Sequence, residues 1–138
     1  IPDFEIGKAI PVSMGEKIAI FSTGAIFEEI EEAKDVLEKA GINPTVYTFP
    51  TVKPIDTKVI KEIAATHDII VTCEEHNLSG GFGSAVAEVL AESPNHARLV
   101  RIGMNDQYCT LVGDQKYLRH QYGMSGKKIA ERILFEVK

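Results

Sequence analysis

The sequence predicts an α/β fold built on a mostly parallel sheet, and three observations support this. Short apolar runs alternate with segments of helical periodicity along the 138 residues, as in βαβ units. The run Asp68–Cys73, DIIVTC, is apolar without alternation, which is typical of a central parallel strand covered on both faces. Pro11 places Ile6–Val12 at an edge of the sheet, because proline cannot donate to a ladder on both sides.

Five strands are expected in chain order. Thr45–Pro50 is rich in β-branched and aromatic residues and closes with a proline, which favours a strand that ends there. The apolar runs before and after it have similar lengths. The predicted strands are Ile6–Val12, Lys17–Thr23, Thr45–Pro50, Asp68–Cys73 and Arg98–Met104.

The first helix is predicted from an apolar stripe with steps of four and three residues. The stripe is formed by Ile26, Ile30, Ala33, Leu37 and Ala40. Gly41 follows where a left-handed C-terminal cap is expected. The opposite face is charged and is interpreted as a solvated surface. Its residues are Glu28, Glu29, Glu31, Glu32, Lys34, Asp35 and Glu38.

Three further helices complete the alternation. Asp56 is expected to cap the second helix and Ser125 the last, since short polar side chains accept hydrogen bonds from the first free N–H groups. The inward-facing residues are predicted as Val59, Ile60, Ile63 and Ala64, then Ala85, Val86, Val89 and Leu90, and finally Ile129, Ile133 and Val137. Asn105–Met124 shows no convincing period.

Composition excludes several classes of function. A net charge of −5 and a pI near 5.4 argue against nucleic-acid binding, which needs a clustered basic face. The apolar runs are too short for a membrane span. Cys73 and Cys109 form no CxxC pair, so we expect free buried thiols and a reducing, cytoplasmic setting. The chain opens at Ile1 rather than at a methionine, so we expect an excised fragment of a longer protein.

The stretch Cys73–Leu90, CEEHNLSGGFGSAVAEVL, is the main candidate for a functional site. It begins at the carboxyl end of a predicted strand, where ligands bind in open α/β sheets. The segment Ser79–Ser84 opens a helix, and free N–H groups there can bind an anion such as phosphate. The segment matches neither GxGxxG nor GxxxxGK[ST]. The favoured alternative is structural, because glycine turns are commoner than phosphate sites.

On that structural alternative, three glycines provide positive φ angles and close helix–sheet packing, and a serine caps the helix. The glycines are Gly80, Gly81 and Gly83, and the capping residue is Ser84. The interpretation predicts a turn shaped by backbone requirements, without a ligand of its own.

The acids and the histidine before the glycines give a weaker signal. Glu74 and Glu75 are neighbours on a strand and point to opposite faces, so they are not expected to share a proton. His76 is either an acid, base or phosphate donor, or, as we favour, a turn histidine held by backbone groups. The other histidines lack zinc-site spacing, and no G-x-S-x-G nucleophile elbow is present. No metal site or serine-hydrolase chemistry is predicted.

With these residues described, the chain resembles the C-terminal domain of transketolase. The resemblance rests on three blocks in order, TCEEHNLSGGFGSAVAEVL from Thr72, RIGMNDQY from Arg101 and LRHQYGMSGKKIAERI from Leu118. It extends from Ile6 onward, so residues 1–138 are expected to be one domain. The corresponding domains of deoxyxylulose-phosphate synthase and of the two-oxoacid dehydrogenase E1 β subunit share the acid-plus-glycine turn and remain alternatives.

The resemblance implies a three-layer α/β/α fold with a five-stranded sheet and one antiparallel edge strand. It also implies a part in a thiamine-diphosphate enzyme of the pentose phosphate pathway, which moves a two-carbon ketol unit between sugar phosphates. In that family an N-terminal domain holds the diphosphate and magnesium through a Gly-Asp-Gly segment, which Gly113–Gln115 does not match. No catalytic or cofactor-binding residue is therefore assigned to this chain, and the chain alone is expected to be inactive.

The implied partner is an N-terminal thiamine-binding domain or subunit, in a homodimer or a split heteromer. The glycine turn is then expected to shape an interface. Its candidate residues are Glu75, His76, Gly80, Gly81, Gly83 and Ser84.

Overall fold

A computed structural model describes residues 6–23, 26–50, 52–74, 81–103 and 124–137. Strands and helices alternate along this part of the chain, as the sequence predicts. The elements are β1 (Ile10–Ser13), β2 (Lys17–Ser22), α1 (Phe27–Lys39), β3 (Thr45–Thr48), α2 (Thr57–Thr66), β4 (His67–Glu74), α3 (Phe82–Ala91), β5 (Arg98–Gly103) and α4 (Gly126–Glu136).

The five strands form one mixed sheet in the order β1-β3-β2-β4-β5. Only the β1–β3 pair is antiparallel, and the other three pairs are parallel. The predicted antiparallel edge strand is confirmed, although it begins at Ile10 rather than at Ile6. Because β2 to β5 run in the same direction, their last residues meet at one side of the sheet, called here the carboxyl edge.

Helices cover both faces of the sheet and confirm the three-layer architecture. α1 and α4 pack on one face, where Leu37 and Ile133 are fully buried together with Ile20 of β2. α2 and α3 pack on the other face, where Ile60 and Val86 are fully buried. Each such aliphatic side chain contributes about 1.5–3 kcal/mol when it is fully buried. The apolar stripes predicted from the sequence therefore provide most of the packing.

Several local predictions are confirmed at helix ends. Gly41 has φ +87°, the left-handed conformation expected of a C-terminal glycine. The Asp56 side chain accepts a hydrogen bond from the Val59 N–H at 3.2 Å, and the Ser125 hydroxyl accepts one from the Lys128 N–H at 3.3 Å. Both residues are N-caps, as their positions in the sequence indicate.

Three predictions about helix faces are wrong. Val137 lies beyond the last turn of α4 and is 39% exposed, and Ala40 is the exposed C-cap of α1. Glu29 was placed on a solvated face, yet it is only 3% exposed. The cause is tertiary, because α4 packs against α1 and the Gly126 N–H donates to Glu29 Oε2 at 3.1 Å.

The thiol of Cys73 is free and fully buried on β4. Burial raises its pKa to about 12, so the thiolate needed for redox chemistry does not form near neutral pH. Cys109 and most of Asn105–Met124 lie outside the described residues, and the cytoplasmic setting stays a prediction. Within the described ranges, no helix combines the length and apolarity needed to cross a bilayer.

Candidate functional site

Glu74 is the last residue of β4, and its side chain accepts hydrogen bonds from the first turn of α3. Its Oε1 accepts a hydrogen bond from the Phe82 N–H at 3.1 Å, and its Oε2 accepts one from the Gly83 N–H at 2.5 Å. The residue is only 4% exposed. These amides belong to the group that has no partner within a helix. A carboxylate of the sheet therefore caps α3 at the carboxyl edge.

Opposing effects act on the Glu74 carboxylate. Burial raises its pKa above the ordinary value of 4.5 and is the largest influence. The hydrogen bonds from Gly83 and Phe82 and the charge of Arg101 lower the pKa, but they do not outweigh burial. The positive end of the α3 dipole lies at the same place and favours the ionised form.

Two polar side chains lie beside Glu74 under α3. Thr72 and Arg101 are register partners on β4 and β5. The Arg101 Nη2 donates to the Ser84 hydroxyl at 2.9 Å. Among the described residues, the Arg101 Nε and the fully buried Thr72 hydroxyl have no hydrogen-bond partner. The first turn of α3 therefore covers a buried polar cluster formed by Thr72, Glu74 and Arg101.

Gly83 is required because this cluster approaches its backbone closely. A Cβ atom at residue 83 would lie 2.7 Å from Arg101 Nε, 2.9 Å from Glu74 Oε2 and 3.1 Å from Thr72 Oγ1. Any side chain would displace at least one of these groups. The glycine permits the helix to rest directly on the polar cluster.

The roles predicted for the turn need correction. Gly81 is the N-cap of α3 with φ −100°, and Gly83 is helical, so neither provides the positive φ expected of it. Ser84 is not the cap, since it lies within the first turn and its hydroxyl accepts from Arg101. Glu75, His76 and Gly80 lie outside the described residues, so their predicted site roles stay predictions.

Sequence reasoning missed the residues that the structure brings together. Glu74 was considered only as half of an acid pair, and Thr72 and Arg101 were not considered for the site. A signal was present, because Thr72 and Glu74 are two residues apart on a strand and share a face. What the sequence did not reveal is that the helix after the glycines returns over that face.

The arrangement leaves little room for an external anion at the start of α3. The two N–H groups that a phosphate would use are bonded to the protein's own carboxylate. The structural interpretation of the glycine turn is therefore favoured over anion binding.

An open groove of about 600 Å³ lies beside this turn, between α3 and residues 52–57. Ser84 is in its wall, together with Lys53, Glu88 and Val89. Among the described residues, no group of three or more histidine, cysteine or acidic side chains is arranged to hold a metal ion.

Comparisons with known proteins agree on one family. The family model described as transketolase, C-terminal domain, matches residues 7–129. A Methanocaldococcus jannaschii protein described as a transketolase C-terminal section is 38% identical over 135 residues, which are 98% of this chain and 42% of that protein. The 1-deoxy-D-xylulose-5-phosphate synthase of Haemophilus influenzae is 40% identical, over 94% of this chain and 20% of that enzyme.

Solved structures show the same fold. A split-gene transketolase, described as an inactive tetramer of four beta subunits, matches with a TM-score of 0.82 and 32% identity. The match covers 95% of this chain and 42% of that one. The transketolase of Campylobacter jejuni matches with a TM-score of 0.63 at 18% identity, over 93% of this chain and 18% of that one, which shows the fold alone. The chain thus spans less than half the length of these relatives.

The family model covers residues 7–129, which are most of the chain, and the fold matches that of the split-gene transketolase with a TM-score of 0.82. The chain belongs to the transketolase C-terminal domain family.

Proposed function

We propose that this chain is the C-terminal domain or subunit of a transketolase, and that its role there is packing and assembly. The enzyme transfers a two-carbon ketol unit between sugar phosphates with thiamine diphosphate and magnesium. The observation that supports this best is the likeness to the split-gene transketolase, at 32% identity over 95% of this chain. The partner is an N-terminal thiamine-binding domain or subunit.

The site geometry supports an assembly role for the domain. Binding the diphosphate of the cofactor requires free N–H groups or cationic side chains. The Phe82 and Gly83 N–H groups already bind Glu74, and the described residues offer no cluster suited to magnesium. This arrangement supports a role in packing and assembly, and no catalytic step is assigned to the described residues.

Reconstitution tests this proposal. We expect the purified chain, with thiamine diphosphate and magnesium, to show no ketol transfer from a ketose phosphate to an aldose phosphate. Adding the thiamine-binding partner is expected to produce the activity together with a stable complex in size-exclusion chromatography. Ketol transfer by the chain alone would contradict the proposal.

A second candidate is the same domain in a 1-deoxy-D-xylulose-5-phosphate synthase. Relatives with that name are up to 40% identical to this chain over more than nine-tenths of its length. The reconstituted complex distinguishes the two enzymes by product. Formation of 1-deoxy-D-xylulose 5-phosphate favours the synthase. Formation of a ketose phosphate that is two carbons longer than the aldose phosphate acceptor favours transketolase.

A further inference from the structure

A chain of hydrogen bonds joins three segments at the amino edge of the sheet, where the parallel strands begin. The Gly15 N–H donates to Thr45 Oγ1 at 2.9 Å. Thr45 Oγ1 lies 2.8 Å from His67 Nε2, and His67 Nδ1 lies 2.9 Å from Thr66 Oγ1. The bonds link the turn between β1 and β2 with the start of β3 and with the junction of α2 and β4.

The bond between Thr45 and His67 crosses a strand. Thr45 is on β3 and His67 is on β4, and β2 lies between these two strands. Neighbouring strands are about 4.8 Å apart, so the imidazole reaches over the whole width of β2. Ala19 is the register partner of Thr45 on β2, and its side chain is only a methyl group. His67 also lies at a register shift, because Lys17 pairs with His67 and Ile18 pairs with Ile69.

The surroundings determine the protonation state of this histidine. Thr45 is fully buried, and its oxygen accepts the Gly15 N–H. Among the described residues, the only other polar atom within hydrogen-bond distance of this hydroxyl is His67 Nε2, so we assign the hydroxyl proton to that nitrogen. The Thr66 hydroxyl donates to the Glu62 carbonyl at 3.1 Å, which leaves its oxygen free to accept from His67 Nδ1. Every bond is satisfied by a neutral imidazole with its proton on Nδ1.

We propose that neutral His67 is a proton-sensitive latch that holds the turn between β1 and β2 against the sheet, and that protonation of His67 releases the turn. A proton added at Nε2 converts that atom from an acceptor into a donor. The Thr45 hydroxyl proton then has no acceptor among the described residues, although its side chain is fully buried. A buried donor without a partner is unfavourable, so rotation of the Thr45 side chain away from His67 becomes favourable and weakens its bond to the Gly15 N–H.

Loss of the hydrogen bond between Gly15 and Thr45 is expected to release the turn, because the turn is closely packed and one of its residues has a strained backbone conformation. A Cβ at Gly15 would collide with the Asn43 carbonyl oxygen, so the turn is seated directly on that backbone. The Glu16 N–H also donates to the Asn43 carbonyl at 2.9 Å. Lys17 has φ +70°, a conformation that non-glycine residues adopt only when the surroundings hold them in it.

Charged groups around His67 act in both directions. Burial lowers the pKa of His67 most, while a hydrogen bond with the Ile63 backbone and the charge of Asp68 raise it less, so the pKa lies below 6.5. Lys17 is the register partner of His67 on β2, and the turn and α2 carry the acids Glu16 and Glu62. Since the folded form prefers the neutral ring, the latch is complete above about pH 6.5 and is lost as the pH falls through the pKa of folded His67.

Nuclear magnetic resonance of the full-length natural protein tests the latch without any assay of activity. At pH 7.5 the imidazole ¹⁵N shifts of His67 are expected to show a proton on Nδ1. The exchange protection of the Gly15 amide is expected to fall by up to about tenfold per pH unit below pH 6.5, the limit for one proton. Thr45→Val is expected to show low protection at Gly15 at every pH.

A matched control separates the latch from general acid effects. His96→Gln removes an exposed histidine that bonds to the backbone carbonyl of its neighbour Ala97, and is expected to leave the Gly15 profile unchanged. If Thr45→Val does not fold, the His67 tautomer and the pH dependence of Gly15 exchange, both measured on the natural sequence, still test the proposal. A proton on Nε2, or constant Gly15 protection from pH 7.5 to 5, would overturn the proposal. The latch does not depend on the enzyme to which the domain belongs.

Discussion

The helices α3 and α4 both begin at carboxylates of other elements, but they are held in different ways. α3 has a glycine N-cap with no capping side chain, and its first N–H groups depend on the buried Glu74. α4 has its own cap, Ser125. The Gly126 and Lys127 N–H groups also donate to Glu29 at 3.1 Å and to Glu32 at 2.9 Å on α1.

This difference shows which helix start depends on a single side chain. At α4 three side chains share the free N–H groups, so each can be removed alone. At α3 one carboxylate binds two N–H groups and also lies beside Arg101. The start of α3, next to the candidate interface, should therefore be the more fragile of the two.

The largest effect is expected from removing the α3 carboxylate. Glu74→Ala leaves two buried N–H groups without a partner, at about 1–3 kcal/mol each, so we expect a loss of about 2–6 kcal/mol in the free energy of unfolding. The measurement is urea denaturation followed by circular dichroism. The matched change on the other face is Glu29→Ala. It removes the hydrogen bond from the Gly126 N–H, and the loss of that bond should cost about 1–3 kcal/mol. Equal losses for the two variants would contradict the comparison.

The next effect concerns the two glycines at these helix starts. A Cβ at Gly126 would lie 2.6 Å from the backbone oxygen of Glu29, whereas a Cβ at Gly83 would meet only side chains, the nearest at 2.7 Å. Side chains move more easily than backbone, so Gly126→Ala should destabilise more than Gly83→Ala. Overpacking of this kind costs about 1–3 kcal/mol. The reverse order of melting temperatures would show that the α3 cluster is the more rigid.

A smaller effect on stability is expected from removing Ser125, the N-cap of α4. Ser125→Ala removes an N-cap and should cost about 1 kcal/mol, because Glu29 and Glu32 still bind the next two N–H groups. The denaturation midpoint in urea measures this loss. A loss as large as that of Glu74→Ala would show that Glu29 and Glu32 of α1 do not stabilise the start of α4 when the Ser125 cap is absent.

The smallest effects are those of pH on two contrasting carboxylates. Burial raises the pKa of Glu74, so its titration lowers stability as the pH rises from 4.5 through its pKa in the folded state. Hydrogen bonds from Arg98 and Arg132 lower the pKa of the partly buried Glu136, so its contribution to stability is present above pH 4.5 and is lost as the pH falls below that value. Carboxyl ¹³C shifts followed over pH 2–8 should place the two midpoints on opposite sides of 4.5.

The elements that could be predicted from the sequence are those whose signals are local. The alternation of strands and helices, the edge strand with Pro11, and the caps Asp56 and Ser125 follow from neighbouring residues. Glu29 and Glu74 were misjudged for a common reason. Each carboxylate binds the start of a helix that comes later in the chain, 97 residues later for Glu29 and 8 residues later for Glu74, and no local pattern indicates such a return.

The candidate site shows the same limit. The prediction that Gly81 and Gly83 lie at the start of a helix is confirmed, but the positive φ angles expected of them are not found. At Gly83 the reason for a glycine is the close approach of Arg101 and Glu74, which depends on the neighbouring strand.

The central claim is that the start of α3 is occupied by Glu74 and so serves the domain's own packing. Titration of the ¹⁵N-labelled chain with inorganic phosphate and with thiamine diphosphate, observed at the Phe82 and Gly83 amides, tests this directly. The account predicts no saturable shift of either amide at millimolar ligand. A saturable shift at both amides would contradict it and would assign an anion site to this turn.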